Sequence, residues 1–151
     1  MAKVKVGSGI KEYTKKLTEL YDISRTAIGQ TVYEGAAVVI AAMVSELHGL
    51  PKESCSPVEK ADLIKGFGVA RMQSRNGFNN VKLGFDGYNR IKTKKFPNGQ
   101  PNSMIARSIV SGTTFRQKND FVGRAVRATS DAAEAKMREE FDKQLKAVWP
   151  E

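Results

Sequence analysis

The first third of the chain carries an apolar or small side chain at every third or fourth position, which constrains the fold more than any other feature. Such spacings place these side chains on one face of an α-helix. The pattern runs through Asp22-Ile23-Ser24, although serine is a residue that caps new helices. It therefore predicts one long bent helix or two consecutive helices, ending at Gly49-Leu50-Pro51 because proline cannot continue a helix. The positions on this face are Ile10, Tyr13, Leu17, Leu20, Ser24, Ile28, Val32, Ala36, Val39, Met43 and Leu47.

Small residues give this predicted helix a smooth surface. Gly29 and Gly35 each cost a helix interior about 1 kcal/mol relative to alanine, and Ala36, Ala37, Ala41 and Ala42 lie close by. Small side chains let another backbone approach closely, so the surface predicts either tight packing on a sheet within the monomer or a subunit interface. We favour packing within the monomer.

A second, short helix and a hairpin follow. Ser56-Pro57-Val58-Glu59 is a capping box with proline at the first helical position, which predicts a helix through about Lys65. The spacing of apolar residues then changes to two, and Asn76-Gly77 is a strong signal for a two-residue hairpin turn. We predict strands near Gly68–Ser74 and Asn79–Phe85, joined by this turn.

The rest of the chain predicts a loop and two helices. Residues 86–102 form a long basic loop with many turn-forming residues. Asn102 or Ser103 can cap a short helix that ends at Gly112, and Asp120 can cap a long terminal helix. The predicted fold class is α+β: a long N-terminal helix that is continuous or broken, a short helix, a small antiparallel β-sheet with an Asn-Gly hairpin, and a long C-terminal helix. Residues 1–151 are expected to form a single domain, with a flexible or strand-like arm over residues 1–9.

Composition limits the environment of the protein. The single cysteine, Cys55, excludes an internal disulfide, is typical of a reducing compartment, and has no adjacent basic residue to activate it. No uninterrupted apolar run approaches about 18 residues, and no apolar segment follows the first basic residues, so we expect neither a membrane span nor a secretory signal. The net charge of +9 fits a polyanionic partner, an acidic protein partner or solubility alone.

The sequence contains few of the residues and motifs that enzymes use for catalysis. The only histidine, His48, falls near a helix C-terminus, where an imidazolium complements the helix dipole. No phosphate-binding glycine loop, zinc spacing or RNA-binding aromatic motif is present. The carboxylates of the last helix lie among basic residues, as on a solvated helix face. We therefore expect no enzyme activity, no cofactor, no metal and no small-molecule substrate.

Three motifs carry a family resemblance. Leu50-Pro51 closes the first long helix, Ser111-Gly112-Thr113 follows the short helix, and Asp120-Phe121-Val122-Gly123-Arg124-Ala125 opens the last one. In this order the chain resembles the head–tail joining, or tail-completion, proteins of tailed phages, with Asp120 where that family has proline. The resemblance implies a small α+β subunit of a homo-oligomeric ring, with a hexamer favoured, in the neck of the virion, assembled in the host cytoplasm.

The same resemblance implies the partners. The ring would join the connector or head-completion protein to the tail tube or tail terminator, and DNA would pass through its lumen. The residues predicted to contact a neighbouring subunit or partner are Arg75, Asn76, Gly77, Phe96, Gly112, Thr113, Phe115 and Phe121. Lys92, Lys94 and Lys95 are predicted to contact a polyanion. The alternative function is a small basic DNA-binding accessory protein.

Overall fold

One unbroken helix, α1, takes up the first third of the structure. The computed structural model describes residues 8–148, and α1 spans Ser8–His48. Of the two alternatives, the continuous helix is correct. The Ser24 hydroxyl donates to the Tyr21 carbonyl oxygen inside α1 (2.7 Å) and does not cap a new helix. The arm predicted over residues 1–9 lies outside the described residues, apart from Ser8 and Gly9, which belong to α1.

The remaining elements confirm a mixed α+β fold that is mostly helical. Two short helices and four three-residue strands lie between α1 and a second long helix. They are α2 (Pro57–Gly66), β1 (Phe67–Val69), β2 (Gln73–Arg75), β3 (Phe78–Asn80), β4 (Leu83–Phe85), α3 (Asn102–Ser111) and α4 (Phe121–Val148).

The two long helices pack side by side in opposite directions. Near the end of α1, Glu46 pairs with Arg124 in the first turn of α4 (2.6 Å). Towards the start of α1, Leu20 and Ala27 lie beside Phe141 and Leu145 of α4. We call α1 and α4 together the stalk, and residues 49–120 the head.

The main core lies where the stalk meets the head. The end of α1, the start of α4, and helices α2 and α3 each contribute buried side chains to it. Two aromatic contacts extend it to the strands, because Phe85 lies 4.9 Å from Phe67 and 6.2 Å from Phe121, measured between ring centres. The core residues are Met43, Leu47, Leu50, Cys55, Leu63, Ile105, Ala106, Ile109, Phe121 and Ala125.

The predicted hairpin is confirmed, but its strands are interrupted. β2 pairs with β3 around the turn, where Asn76 and Gly77 have φ angles of 53° and 79°. β1 pairs with β4 at the base in a separate two-stranded ladder. The hairpin lies against α1, since the Met72 amide donates to the Tyr33 hydroxyl oxygen (2.9 Å).

The predicted helix ends are correct except for the cap at the start of α3. Ser56 and Glu59 form the predicted capping box of α2, and Asp120 accepts from the Gly123 amide at the start of α4 (3.1 Å). At α3, Pro101 occupies the capping position and no side chain caps the helix. The Asn102 side chain instead donates to the Asp62 and Asp86 carbonyl oxygens (3.3 and 2.8 Å), which joins α2 to the end of β4. Helix α1 ends before Gly49, as predicted.

The basic loop 86–102 has no helix or strand before Asn102, yet it is tied down at its base. Tyr88 and Pro101 form a bridge, and buried Asn89 accepts from the Gln100 amide through its side-chain oxygen (2.7 Å). At Gly99, which has a φ of 92°, an added Cβ would overlap the Asn89 carbonyl oxygen. The loop therefore has a defined path whose lysines lie away from its base.

One helix bears on the expectation that no segment spans a membrane. By length and composition alone, Gly9–His48 contains a stretch apolar enough to cross a bilayer, and 33% of that stretch is buried. A single helix of this kind is weak evidence for a membrane span, because the mostly buried core helix of a soluble protein passes the same test. Helix α4 packs along α1.

The glycines of α1 provide a test of its packing. Gly35 lies against Met137, whose Cγ would be 2.5 Å from an added Cβ, whereas at Gly29 the nearest atom, Met72 Cε, would be an ordinary 3.5 Å away. Both contacts lie within the chain, but Gly35 packs on helix α4, whereas packing on a sheet was expected. We expect Gly29→Ala to raise the free energy of unfolding by about 1 kcal/mol through helix propensity. Gly35→Ala has the same propensity gain, but Met137 must move, and overpacking costs about 1–3 kcal/mol, so the net change should be near zero or a loss of stability.

Urea denaturation of the two variants measures this difference. Equal stabilisation by both substitutions would contradict the close packing of α1 on α4 at Gly35.

Candidate interaction surfaces

Almost all of the net positive charge of the protein lies in the head. Residues 49–120 contain 13 Lys and Arg and 5 Asp and Glu, a net charge of +8. Helices α1 and α4 contain 10 basic and 10 acidic residues between them, so the stalk is neutral. The net positive charge is thus concentrated in one segment of the chain, residues 49–120.

An ion pair links α2 to the turn before α4. The two guanidinium nitrogens of Arg116 donate to the two carboxylate oxygens of Glu59 (2.7 and 3.3 Å), and one of them also donates to the Ser54 carbonyl oxygen (2.8 Å). Glu59 accepts from the Ser56 amide and hydroxyl as well (3.1 and 3.0 Å). Both side chains are largely buried, at 11% and 18% exposure.

Hydrogen bonds decide the charge state of Glu59. Burial alone would raise the pKa of this carboxyl, but the hydrogen bonds from Arg116 and Ser56 outweigh burial and hold the pKa below its ordinary value. The carboxylate is therefore ionised at neutral pH, and the pair is fully charged.

The ion pair supports an exposed aromatic side chain. Thr113 and Arg116 exchange backbone hydrogen bonds (2.9 and 3.2 Å) and close a tight turn around Thr114 and Phe115. Phe115 at the tip of this turn is 97% exposed. Gly112 precedes the turn with a φ of 73°, and an added Cβ there would lie 2.9 Å from Lys118 Cβ, so this position requires glycine. We call residues 112–116 the Phe115 turn.

A cleft of about 410 Å³ lies beside the Phe115 turn. Its lining includes Cys55, whose pKa is raised to about 11 by burial and by the negative charge of Glu59, with Arg116 and Lys60 opposing the shift. The thiol is thus protonated at neutral pH and is a poor nucleophile. Within residues 8–148, no group of three His, Cys, Asp or Glu side chains is placed to hold a metal ion.

The hairpin tip is a second exposed site. Arg75, Asn76 and Gly77 are exposed at the turn, as predicted, and Phe78 beside them is 77% exposed. Phe78 was not among the predicted contact residues, although its position directly after a turn on a three-residue strand leaves little to cover it. Its exposure depends on how short the strands are, and the sequence predicted longer strands than the structure has.

The remaining predicted contact residues lie in the basic loop and at the start of α4, and they differ in exposure. Phe96 is half-buried, and Lys95 Nζ lies 5.7 Å from the centre of its ring. Lys92, Lys94 and Lys95 are exposed, as a polyanion contact requires. Phe121 is a correction, since it is fully buried in the core against Phe85 and its side chain offers nothing to a neighbour.

Sequence reasoning also missed the exposed face at the start of α1. Ile10, Tyr13 and Leu17 follow the same spacing as the buried residues of this helix, yet they are exposed. Periodicity identifies which side chains share a face, but it does not say whether another element lies on that face.

No protein-family model, no curated protein and no solved structure matches this chain.

The pH dependence of stability tests the Glu59–Arg116 pair. Because the pKa of Glu59 is lowered in the folded chain, its stabilising effect is complete above the ordinary value of about 4.3. That effect is lost as the pH falls through the lower folded value. Glu59→Gln should cost about 3 kcal/mol at pH 7, because it leaves Arg116 without its partner. This difference from the wild-type protein should shrink below about pH 4.

Urea denaturation at several pH values measures this difference. Glu34→Gln, on the exposed surface of α1, is the control and should behave as the wild-type protein does. A difference for Glu59→Gln that stays constant from pH 7 to pH 3 would contradict the lowered pKa.

Proposed function

We propose that this protein is a structural subunit of the head–tail junction of a tailed phage, where copies of it form a ring between the connector and the tail. Two features support the proposal. The first is the order of the motifs at Leu50-Pro51, Ser111-Gly112-Thr113 and Asp120-Phe121, and the second is the exposed aromatic side chains on well-anchored turns. On this proposal the protein acts by binding its neighbours and does not catalyse a reaction.

The Phe115 turn carries this proposal. Single exposed apolar residues are common on protein surfaces and need no explanation. Phe115 differs because the turn beneath it is closed by two backbone hydrogen bonds and held by a largely buried ion pair. A rigid aromatic side chain loses little conformational entropy on docking, and such residues often dominate the binding energy of interfaces.

A ring needs two different faces on each subunit, because one face must meet a different face of the next copy. The Phe115 turn rests on α2 through Arg116, whereas the hairpin tip rests on α1 through Met72. These two exposed aromatic tips thus belong to different parts of the subunit. Such an arrangement suits heterologous contacts.

Replacing Phe115 tests the assembly role. Because its side chain makes almost no contact within the chain, Phe115→Asp should leave the folded state and the thermal midpoint unchanged. We expect it to weaken assembly by about 30-fold or more, as loss of an interface hot spot of about 2 kcal/mol does. Size-exclusion chromatography with light scattering, and negative-stain images of the protein co-expressed with the products of its neighbouring genes, measure assembly.

The matched control is Tyr88→Asp, which places the same charge on another exposed aromatic residue of the head. It should assemble as the wild-type protein does. Assembly by Phe115→Asp at the wild-type level would overturn the role of this turn. Neighbouring genes that encode no portal, major capsid or tail-tube protein would overturn the placement in a phage neck.

The second candidate function is DNA binding, and the charge of the head favours it. Three of the five carboxylates in the head already pair with arginines: Glu59 with Arg116, Asp62 with Arg90, and Asp120 with Arg127 of α4. Lys92, Lys94 and Lys95 project from the same head. A dedicated DNA-binding protein gains affinity from each phosphate it contacts, and that affinity falls steeply with salt.

Neutralising the loop lysines separates the two functions. If the protein is a dedicated DNA-binding protein, replacing Lys92, Lys94 and Lys95 with Gln should abolish measurable binding at about 0.15 M salt. The log–log salt slope should fall by up to about 0.9 for each lost phosphate contact. A neck subunit should bind DNA weakly, and the change should be mild. Fluorescence anisotropy with duplex DNA at several salt concentrations measures both quantities.

The control carries the same change in charge on the stalk: Arg138, Lys143 and Lys146 replaced with Gln. Under either function, these α4 substitutions should have less effect on DNA binding than the loop substitutions. An equal loss of binding for both triple variants would show that only the net charge of the protein matters.

A further inference from the structure

The first turns of α1 present an uncovered apolar face. Ile10 and Tyr13 are each 62% exposed and Leu17 is 46% exposed. Together with Leu20 they are spaced by three, four and three residues, so they lie on one face of the helix. We call these four residues the arm stripe. From here on, the arm means residues 9–22, which is a different segment from the arm predicted over residues 1–9.

The arm stripe continues the seam along which α4 packs on α1. Beyond Leu20 the same spacing reaches Ser24 and Ala27, and these residues lie beside Phe141 and Leu145 of α4. Leu20 itself is only partly covered. Alternating spacings of three and four are the pattern of a coiled-coil seam. In the described residues, that seam is covered along one part and bare along the other.

We propose that the arm of a second copy of this chain covers the arm stripe, packed antiparallel. An antiparallel second arm runs in the same direction as α4 and prolongs the line of α4 along the seam. Tyr13 of each copy then lies opposite Leu17 of the other, and Ile10 lies opposite the uncovered part of Leu20. The contact is isologous, because the same surface serves both partners.

The charges of the arm favour a second copy over a polyanion or an anionic membrane. Its basic residues are Lys11, Lys15 and Lys16, and its acidic residues are Glu12, Glu19 and Asp22, so the arm is neutral. Two of the possible pairs form within the helix, Lys15 with Glu19 and Lys16 with Glu12, each at 3.8 Å. Two neutral arms carry no net repulsion. Amphipathic helices that lie on anionic membranes have instead a polar face rich in Lys and Arg.

The size of the contact sets its strength. Four apolar layers over about three helical turns bury less surface than a standard stable interface, which places this contact among the weak ones. We expect a dissociation constant on the order of 100 µM for the isolated chain, because a contact this small has little energy left after the entropy lost on association. In an assembled particle, where copies are held close together, such a contact forms readily because the effective concentration is high.

Sedimentation equilibrium of the full chain tests the proposal. The wild-type protein should show a monomer–dimer equilibrium, and Leu17→Glu should weaken it at least tenfold, because it places a charge in the seam. Thr18→Glu is the matched control. It adds the same charge at the next residue, off the arm stripe, and should leave the equilibrium unchanged. The same comparison in the Phe115→Asp background removes any contribution from ring contacts.

Cysteine cross-linking tests the direction of the pair. In a Cys55→Ser background, a mixture of Tyr13→Cys and Leu17→Cys chains should form the mixed disulfide faster than either chain forms a disulfide with itself. Faster self-linking of both variants would indicate parallel arms and would overturn the antiparallel arrangement.

Three results would overturn the second copy as the occupant. The first is a wild-type chain that stays monomeric well above the expected dissociation constant. The second is a change in the fluorescence of Trp149, the only tryptophan, when Leu17 is replaced with Glu and the mass measured by sedimentation stays the same. That result would mean that residues following α4 cover the arm stripe. The third is binding to anionic phosphatidylserine vesicles that Leu17→Glu removes. A dimer retained by Phe115→Asp chains that form no ring would support the arm contact independently of the proposed function.

Discussion

The ion pair between Glu59 and Arg116 is the interaction on which the exposed end of the head depends. A buried carboxylate is costly unless donors surround it, and here Ser56 and Arg116 together supply them. The same carboxylate caps α2 and holds the segment that leads into α4. The loop after α1, the start of α2 and the Phe115 turn are therefore fixed by one group.

This arrangement explains how the protein can display a large aromatic side chain without burying it. A flexible loop with a phenylalanine at its tip would tend to fold back onto the nearest apolar surface, because burial of the ring is favourable. The short turn from Thr113 to Arg116, closed by backbone hydrogen bonds and anchored from below, leaves the ring no such path. Phe115 is therefore exposed because the backbone of the turn is held in a conformation that points its side chain away from the head.

Features that depend on a few neighbouring residues were predictable from the sequence. The capping box at Ser56, the hairpin turn at Asn76-Gly77 and the cap at Asp120 all arise from local hydrogen bonding or local φ preferences, and the structure has each of them. The fold class follows from these signals together with the two long periodic segments.

Features that depend on distant residues were not predictable. The Asn102 side chain bonds to carbonyl groups of α2 and of the segment after β4, and Phe121 is buried because Phe85 packs on it. Neither contact has a local signal, and the bare part of the α1 seam has none either.

The difference in charge between head and stalk has a consequence for how the protein approaches a charged partner. A cationic head on a neutral stalk makes the electric field around the protein asymmetric. Any extended acidic object, whether a nucleic acid or an acidic protein ring, exerts a torque on such a molecule before contact and turns the head towards itself. The approach of the protein is then aligned by the field at distances of about one Debye length, roughly 8 Å at physiological ionic strength. Its orientation towards an acidic partner is in this way set before any side chain touches that partner.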